Sequence, residues 1–257
     1  MTKRVALVRS VPDALARCEL THLPRVSIDA AKAREQHAGY ERALALLGCE
    51  VCRVPATPEL SDSAFVEDAA VVLDEVAIIT RPGVGSRRGE CASVAEALAP
   101  YRDLQCLSAP ATLDGGDVLR LGHTLYVGVG GRTNRAGIEQ LSRMVGDLGY
   151  EVRPVEVRGC LHLKSAATEL ASGLVLVNPA WVDERTFRGH KAMEVDSEEP
   201  FAGNVLRIGG SVLAAAAHVR TNARLRSAGL RVHTVDVAEL AKAEAGVTCC
   251  SLIVECR

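Results

Sequence analysis

Six short polar segments carry the residues able to do chemistry in this chain. They are SDSAFVED at 61–68, RPGVGSRRGE at 81–90, TLDGGDVL at 112–119, GRTNRAG at 131–137, CLHLKSAAT at 160–168 and GVTCCSLI at 246–253. Together they offer a thiol, an imidazole, several carboxylates and two separate arginines. A thiolate nucleophile needs a base or a nearby positive charge, because a free thiol has a pKa of about 8.5. Carboxylates such as Asp62, Glu67 and Asp68 oppose thiolate formation unless an incoming cation compensates them. Arginines beside them would then hold an anionic end of that substrate. The implied ligand has a cationic head and a carboxylate tail, the form of arginine and its derivatives.

Taken singly, each segment has a plainer reading. His162 sits between two leucines at a strand start, where a histidine is usually a hydrogen-bonded structural residue. Cys249 follows Gly-Val-Thr and is expected to begin the last strand, with Cys250 on its other side. The basic loop at 81–90 is no phosphate loop, since the GKS/T ending is missing. The paired glycines of TLDGGD imply a backbone held close to another group. Cys49 and Cys52 form a lone CxxC with no matching second pair, and a strand would put them on opposite faces, which argues against a structural zinc.

The elements that must position these residues alternate short strands with amphipathic helices. Of the 257 residues, 48% are hydrophobic and 24% charged, so the chain can bury a sizeable core. Its net charge of -2 supplies no electrostatic footprint for nucleic acid. It has no apolar run of about 18 residues that would span a membrane. The six-residue apolar stretch near the N-terminus is interrupted by Arg9 and reads as a first strand, not a secretory leader. Nine cysteines, an odd number, then read as reduced thiols. Helices are expected over 29–47, capped by Asp29, over 133–148, capped by Thr133 or Asn134, and over 218–228. Strand pairs are expected at 66–80, 113–129, 163–177 and 204–216. GCEVCRV at 48, GYEVRPV at 149 and GLRVHTV at 229 each follow a helix that ends in glycine, and QCLSAP near 105 is a weaker copy. A hairpin–helix–strand unit thus recurs every 40 to 50 residues, about five times. That period points to a circular array or solenoid whose units bury their open faces on one another.

The ordered set DSAFVED, AIITRPGVGSRRGE, TLDGGD, GRTN, LHLK and GVTCCS resembles the dimethylarginine dimethylaminohydrolase family of the guanidine-modifying (pentein) superfamily, along essentially the whole chain. The resemblance implies an α/β fold, a five-bladed propeller of pseudo-repeated ββαβ units, with residues 1–257 as a single catalytic domain. It implies Cys249 as nucleophile, His162 as general acid and base, and Asp114 as the group that holds the imidazole. Glu67 and Asp68 would bind the guanidinium. Asp62 and the backbone carbonyl near Ala243 would hold the α-ammonium, and Arg87 and Arg132 the α-carboxylate. Leu20, in the CELTHL loop, would cover the site as a flap. The implied activity is hydrolysis of N-methylated arginines to citrulline in the cytoplasm without metal or organic cofactor, zinc entering only as an inhibitor. The partner is then a small molecule, and the chain either a monomer or a homodimer. Related arginine deiminases carry an aspartate two positions after the histidine. Lys164 stands there instead, which weakens the case for unsubstituted arginine. Two positions depart from relatives: Asp114 stands where some have glutamate, and Glu244 where many have aspartate. The rival readings are an arginine deiminase-like or other guanidine hydrolase and, from another class, a non-catalytic binding protein of the same fold.

Overall fold

A computed structural model describes residues 3–256. Among the described residues fifteen strands form five three-stranded sheets of one design, an antiparallel pair extended by a parallel strand. The second sheet contains β3 (Ala70–Val72), β4 (Val76–Ile79) and β5 (Asp103–Cys106), and the third contains β6 (Val118–Leu121), β7 (Thr124–Val129) and β8 (Glu151–Glu156). The fourth contains β9 (Ala167–Ala171), β10 (Leu174–Val177) and β11 (Lys191–Glu194), and the fifth β12 (Val205–Ile208), β13 (Ser211–Ala215) and β14 (Arg231–Val235). The first sheet joins the two ends of the chain. There β1 (Lys3–Val8) pairs in parallel with β2 (Cys49–Arg53) and antiparallel with β15 (Leu252–Cys256), so Val5 faces Val254. This terminal pairing closes the ring of five blades.

The parallel strands are reached through helices Ala30–Leu46, Cys91–Leu98, Arg135–Gly146 and Val219–Ser227. The Asp29 side chain accepts the amides of Ala31 and Lys32, and Asn134 that of Gly137, so Asn134 rather than Thr133 is the cap. Gly48, Gly149 and Gly229 follow three of these helices with φ of 89°, 83° and 86°, the left-handed turn that recurs in the sequence. The fourth blade departs from the pattern. It crosses from β10 to β11 through a 3-10 turn at Glu184–Thr186, with no glycine-ended helix to mark it.

Core packing follows the ring. Five clusters of buried side chains each bridge two neighbouring blades. Val71, Ile78, Val118 and Val127, for example, join the second blade to the third. A sheet too small to be stable alone is thereby covered on both faces. Cys49 and Cys52 contribute to different clusters, as the alternation of a strand requires.

The first strand of each hairpin lies innermost: β9 packs against β6 and β12, and β15 against β3. One end of the ring axis is tied by ion pairs, Arg4–Glu255 at 2.7 Å, Arg120–Asp74 at 2.5 Å and Arg207–Glu169 at 2.6 Å. The other end gathers the segments that lead into the innermost strands.

Several sequence expectations shift by a few residues for one reason. Residues 66–69, 115–117 and 163–166 are short helical turns ahead of β3, β6 and β9 rather than strand. Residues 247–250 likewise turn, so Cys249 lies before β15 and does not begin it. These segments curl at the axis because their polar side chains bond to one another across the ring instead of continuing a ladder. In the last of them, the Tyr40 hydroxyl bonds Val247 O at 2.8 Å and Ser251 Oγ at 2.7 Å with no exposure to solvent. Tyr40→Phe removes the hydroxyl that both groups bond and is expected to cost about 1–3 kcal/mol. A urea midpoint equal to that of the parent chain would contradict this anchoring role.

Candidate active site

The turns ahead of the innermost strands bring the chemistry together. Glu67 and Asp68 precede β3, Asp114 and Asp117 precede β6, His162 and Lys164 precede β9, and Cys249 precedes β15. Asp62, Asp68, Arg87, Arg132, His162, Ala243 and Cys249 line one cleft together with Glu19 and Glu244. Leu20, within the flap, is half-buried against the core shared by the first and fifth blades and does not line this cleft. Glu67 adjoins the cleft through Cys249, whose carbonyl accepts the Glu67 amide at 3.2 Å.

His162 is held between two carboxylates. Its Nε2 lies 3.1 Å from Asp114 Oδ2, and its Nδ1 lies 3.8 Å from Asp68 Oδ1. Burial alone would lower its pKa. The charge of Asp68, the bond to Asp114 and the charge of Asp117 outweigh burial and lift it to about 9, so the ring is an imidazolium at neutral pH. Burial also pushes Asp117 up to about 6, although it accepts Thr133 Oγ1 at 2.6 Å and the Leu163 amide at 3.1 Å.

Glycines permit this closeness. A Cβ on Gly116 would lie 2.6 Å from His162 Nδ1 and 2.7 Å from Asp68 Oδ1, and one on Gly115 only 2.0 Å from Glu67 O. The Gly116 amide in turn donates to Asp68 Oδ1 at 2.9 Å.

The Cys249 turn is braced from the fifth blade. Asn204 Nδ2 donates to Lys164 O and to Thr248 Oγ1, both at 2.9 Å, and its Oδ1 accepts the Thr248 amide at 3.0 Å. One buried amide side chain therefore ties the cysteine turn to the histidine turn. Burial, then the charges of Glu67 and Asp68, push the Cys249 thiol up to about 12, against the opposing pull of the Gly246 N–H at 3.3 Å and of Lys164.

The carboxylates expected to receive a guanidinium already have cationic partners. Glu67 Oε1 meets Lys164 Nζ at 2.6 Å, and its Oε2 accepts Thr248 Oγ1 at 2.7 Å. Asp68 pairs with the Nη1 of Arg87. Burial would raise Asp68, but His162, Arg87 and the Gly116 amide hold it below the usual carboxylate range. Arg87 also bonds Glu90 through Nε at 3.1 Å and Nη2 at 2.8 Å, and reaches the carbonyls of Phe65 and Asp62. This differs from the expected free carboxylate-binding group: Arg87 is first the counter-ion of two buried acids. Arg132 is less committed, with Nη1 at 3.4 Å from Asp114 Oδ2 and Nη2 at 3.4 Å from Thr21 Oγ1.

Sequence reasoning also missed Arg9, Glu90, Asp117 and Asn204. Arg9 is fully buried and donates to Pro55 O, Ser63 O, Glu90 O and Ser93 Oγ, which fixes the 55–63 loop to the start of the Cys91–Leu98 helix. Its signal was an arginine directly following an apolar strand. Asn204 stands immediately before β12, the position that the other blades use for site residues, so the repeat itself could have found it.

Ligand atoms of Asp68, Asp114 and His162 lie within 4.8 Å of one another, close enough to hold a metal ion. Both carboxylates already face arginines, and the raised imidazole favours a proton over a metal. The trio therefore suits proton handling better than metal ligation.

No family model matches the chain. Individual relatives do. A dimethylarginine dimethylaminohydrolase of Streptomyces coelicolor is 41% identical over 254 residues, covering 98% of this chain and 97% of that protein. This chain belongs to the dimethylarginine dimethylaminohydrolase family. The Pseudomonas aeruginosa member is 33% identical over 226 residues, 87% of this chain and 89% of its own length. A solved structure of a Pseudomonas aeruginosa dimethylarginine dimethylaminohydrolase, a cysteine-to-serine variant complexed with citrulline, superposes with a TM-score of 0.93 at 32% identity over 98% of this chain and 99% of that one. The α/β propeller of five blades is thus the family fold.

Two outcomes test the site. Gly116→Ala should lower kcat by roughly 100-fold with unchanged circular dichroism, because the new methyl displaces His162 or Asp68; full activity would contradict the packing. Alkylation of Cys249 by iodoacetamide in the ligand-free protein should keep accelerating above pH 9. A plateau below pH 8 would contradict the raised thiol.

Proposed function

We propose that this chain hydrolyses N-omega-methylated arginines, the asymmetrically dimethylated and monomethylated forms, to L-citrulline and dimethylamine or methylamine through a covalent intermediate on Cys249. The observation that carries this reading is a cleft shared by Cys249, a protonated His162 and a surplus of carboxylates, in a chain of this family. Around it stand Asp62, Glu67, Asp68, Glu90, Asp114 and Asp117 against the cations of Arg87, Arg132, Lys164 and His162. Such a lining favours a ligand of net positive charge, which a methylarginine has.

The guanidinium enters as a third cation at Glu67 and Asp68, in competition with Lys164 and Arg87. Its charge beside the sulfur does what those carboxylates oppose: it favours loss of the thiol proton to solvent. The thiolate attacks the guanidinium carbon to form a tetrahedral adduct. The His162 imidazolium gives its proton to the methylated nitrogen, since an amine anion cannot leave, and the amine departs. An S-alkylthiouronium remains on Cys249. The neutral imidazole then takes a proton from water, the hydroxide adds to the same carbon, and collapse expels the thiolate and, as the added O–H loses its proton to solvent, leaves citrulline. Asp114 keeps the ring oriented through Nε2. No step calls for a metal or an organic cofactor.

Asp62 and the carbonyl of Ala243 would hold the α-ammonium, and Arg132, assisted by Arg87, the α-carboxylate. A reducing cytoplasmic setting keeps such a thiol free. A second reading, deimination of unsubstituted arginine, is disfavoured by Lys164. Where a deiminase has a carboxylate to grip an unsubstituted nitrogen, this chain has a cation bonded to Glu67.

Citrulline formed from dimethylarginine should exceed that formed from arginine under the same conditions, and the reverse preference would overturn the assignment. Cys249→Ser is expected to abolish turnover and Cys250→Ser to keep it, with the trapped adduct mapped by mass spectrometry to residue 249. Arg132→Ala should raise KM by roughly 10- to 100-fold, the worth of one charge-assisted hydrogen bond. An unchanged KM would place the carboxylate elsewhere.

A further inference from the structure

The flap carries an arrangement that the proposed reaction leaves unused. The amides of Thr21, His22 and Leu23 all donate to the Glu244 carboxylate, that of Thr21 at 3.1 and 3.0 Å from its two oxygens. Three successive N–H groups converging on one acceptor form an anion nest, and here the anion is a side chain of the same molecule. Glu244 adopts φ of 58° and is the one non-glycine residue with positive φ among the described residues. A side chain tolerates that backbone region only where its surroundings hold it there.

Other contacts tie the same loop. Asp62 accepts the Glu19 amide at 3.2 Å, Ser86 Oγ donates to Glu19 Oε1 at 2.7 Å, and Arg25 reaches the carbonyls of Ala16 and Cys18 at 2.8 and 2.7 Å. Leu23 lines an apolar cavity of about 140 Å³ with Phe201, Ala241 and Ala245, on the other side of the 243–246 turn. With the flap in this position the active-site cleft has a free volume of only about 10 Å³, roughly one water. A methylarginine enters while the flap is open, and the side chains lining the cleft part around it as the flap recloses.

We infer that Glu244 is the latch of the substrate flap, a positioning residue whose carboxylate closes residues 19–23 over the cleft and does not bind the substrate α-ammonium. This rests on the arginine-like substrate proposed above. The Glu244 oxygens point at the flap amides, so recognition of the ammonium is left to Asp62 and the Ala243 carbonyl. Closure and α-amino recognition then lie side by side on one turn but belong to different residues. The two-carbon reach of the Glu244 side chain lets one carboxylate span three amides.

Amide hydrogen exchange of the ligand-free full chain tests the latch without reference to any substrate. In Glu244→Gln, exchange at residues 21–23 should quicken by roughly tenfold, the effect of losing about one net charge-assisted hydrogen bond. Glu244→Gly, which relieves the backbone strain and also removes the carboxylate, should match it. In turnover, Glu244→Gln should raise KM for dimethylarginine about tenfold with kcat within about threefold, because the closed state is less populated. The preference for dimethylarginine over its des-amino analogue should stay unchanged in Glu244→Gln and fall in Asp62→Asn. Unchanged exchange at 21–23, or a loss confined to amino-bearing substrates, would overturn the proposal. Should Glu244→Gln fail to fold, Glu244→Asp keeps the charge, shortens the reach and gives the same exchange readout. If exchange quickens while neither methylarginine nor arginine is hydrolysed, the latch stands and the substrate assignment fails.

Discussion

Burying acids beside a sulfur that must become an anion is the constraint around which the site is built. Asp68 is answered by Arg87, Glu67 by Lys164, and Asp114 by Arg132 and His162. Each pairing makes a buried charge tolerable, since an isolated one would cost several kcal/mol. The lining is nonetheless left short of cations, and the thiol stays protonated until another arrives. In the proposed reaction the substrate's own charge thus becomes part of the catalytic apparatus. A Cys249 thiol held protonated without a cation beside it is also shielded from indiscriminate reaction.

Holding so many charges within a few ångströms requires a scaffold that delivers each from a different direction. Five small sheets around an axis do this. Each innermost strand is preceded by a short turn, and all these turns meet at one end of the ring. No blade could be stable alone, because its core is shared with its neighbours. Displacing one turn therefore disturbs the bonds made by the others, as the bridge of Asn204 between the turns of Cys249 and Lys164 illustrates. Gly115 and Gly116 set the closest approach, and the carboxylate–imidazole spacing follows from their missing side chains.

Access and chemistry are separated along the same rim. The acids that tune the histidine and the thiol lie deep, whereas Glu244 stands at the lip and engages main-chain amides of the flap. A lid held by a carboxylate can open at modest cost, because water readily replaces its partners, while the ion pairs below stay buried.

The sequence by itself determined the repeat and the inventory of reactive groups. Glycine-ended helices before GCEVCRV, GYEVRPV and GLRVHTV mark three blades because a left-handed helix end leaves a local signature. The TLDGGD glycines announced a close approach because only a missing Cβ allows one. The third strand of the fourth blade, Lys191–Glu194, escaped notice because its crossover has no such helix, and Cys249 was assigned to a strand because side-chain bonds across the ring, invisible in one dimension, bend residues 247–250 into a turn. Tertiary structure alone decided that Arg87 answers Asp68 and Glu90, that Lys164 answers Glu67, and that Glu244 grips residues 21–23. These partners lie from three to more than two hundred positions apart, and charge pairing depends on distance in space, which the order of residues along a chain does not encode.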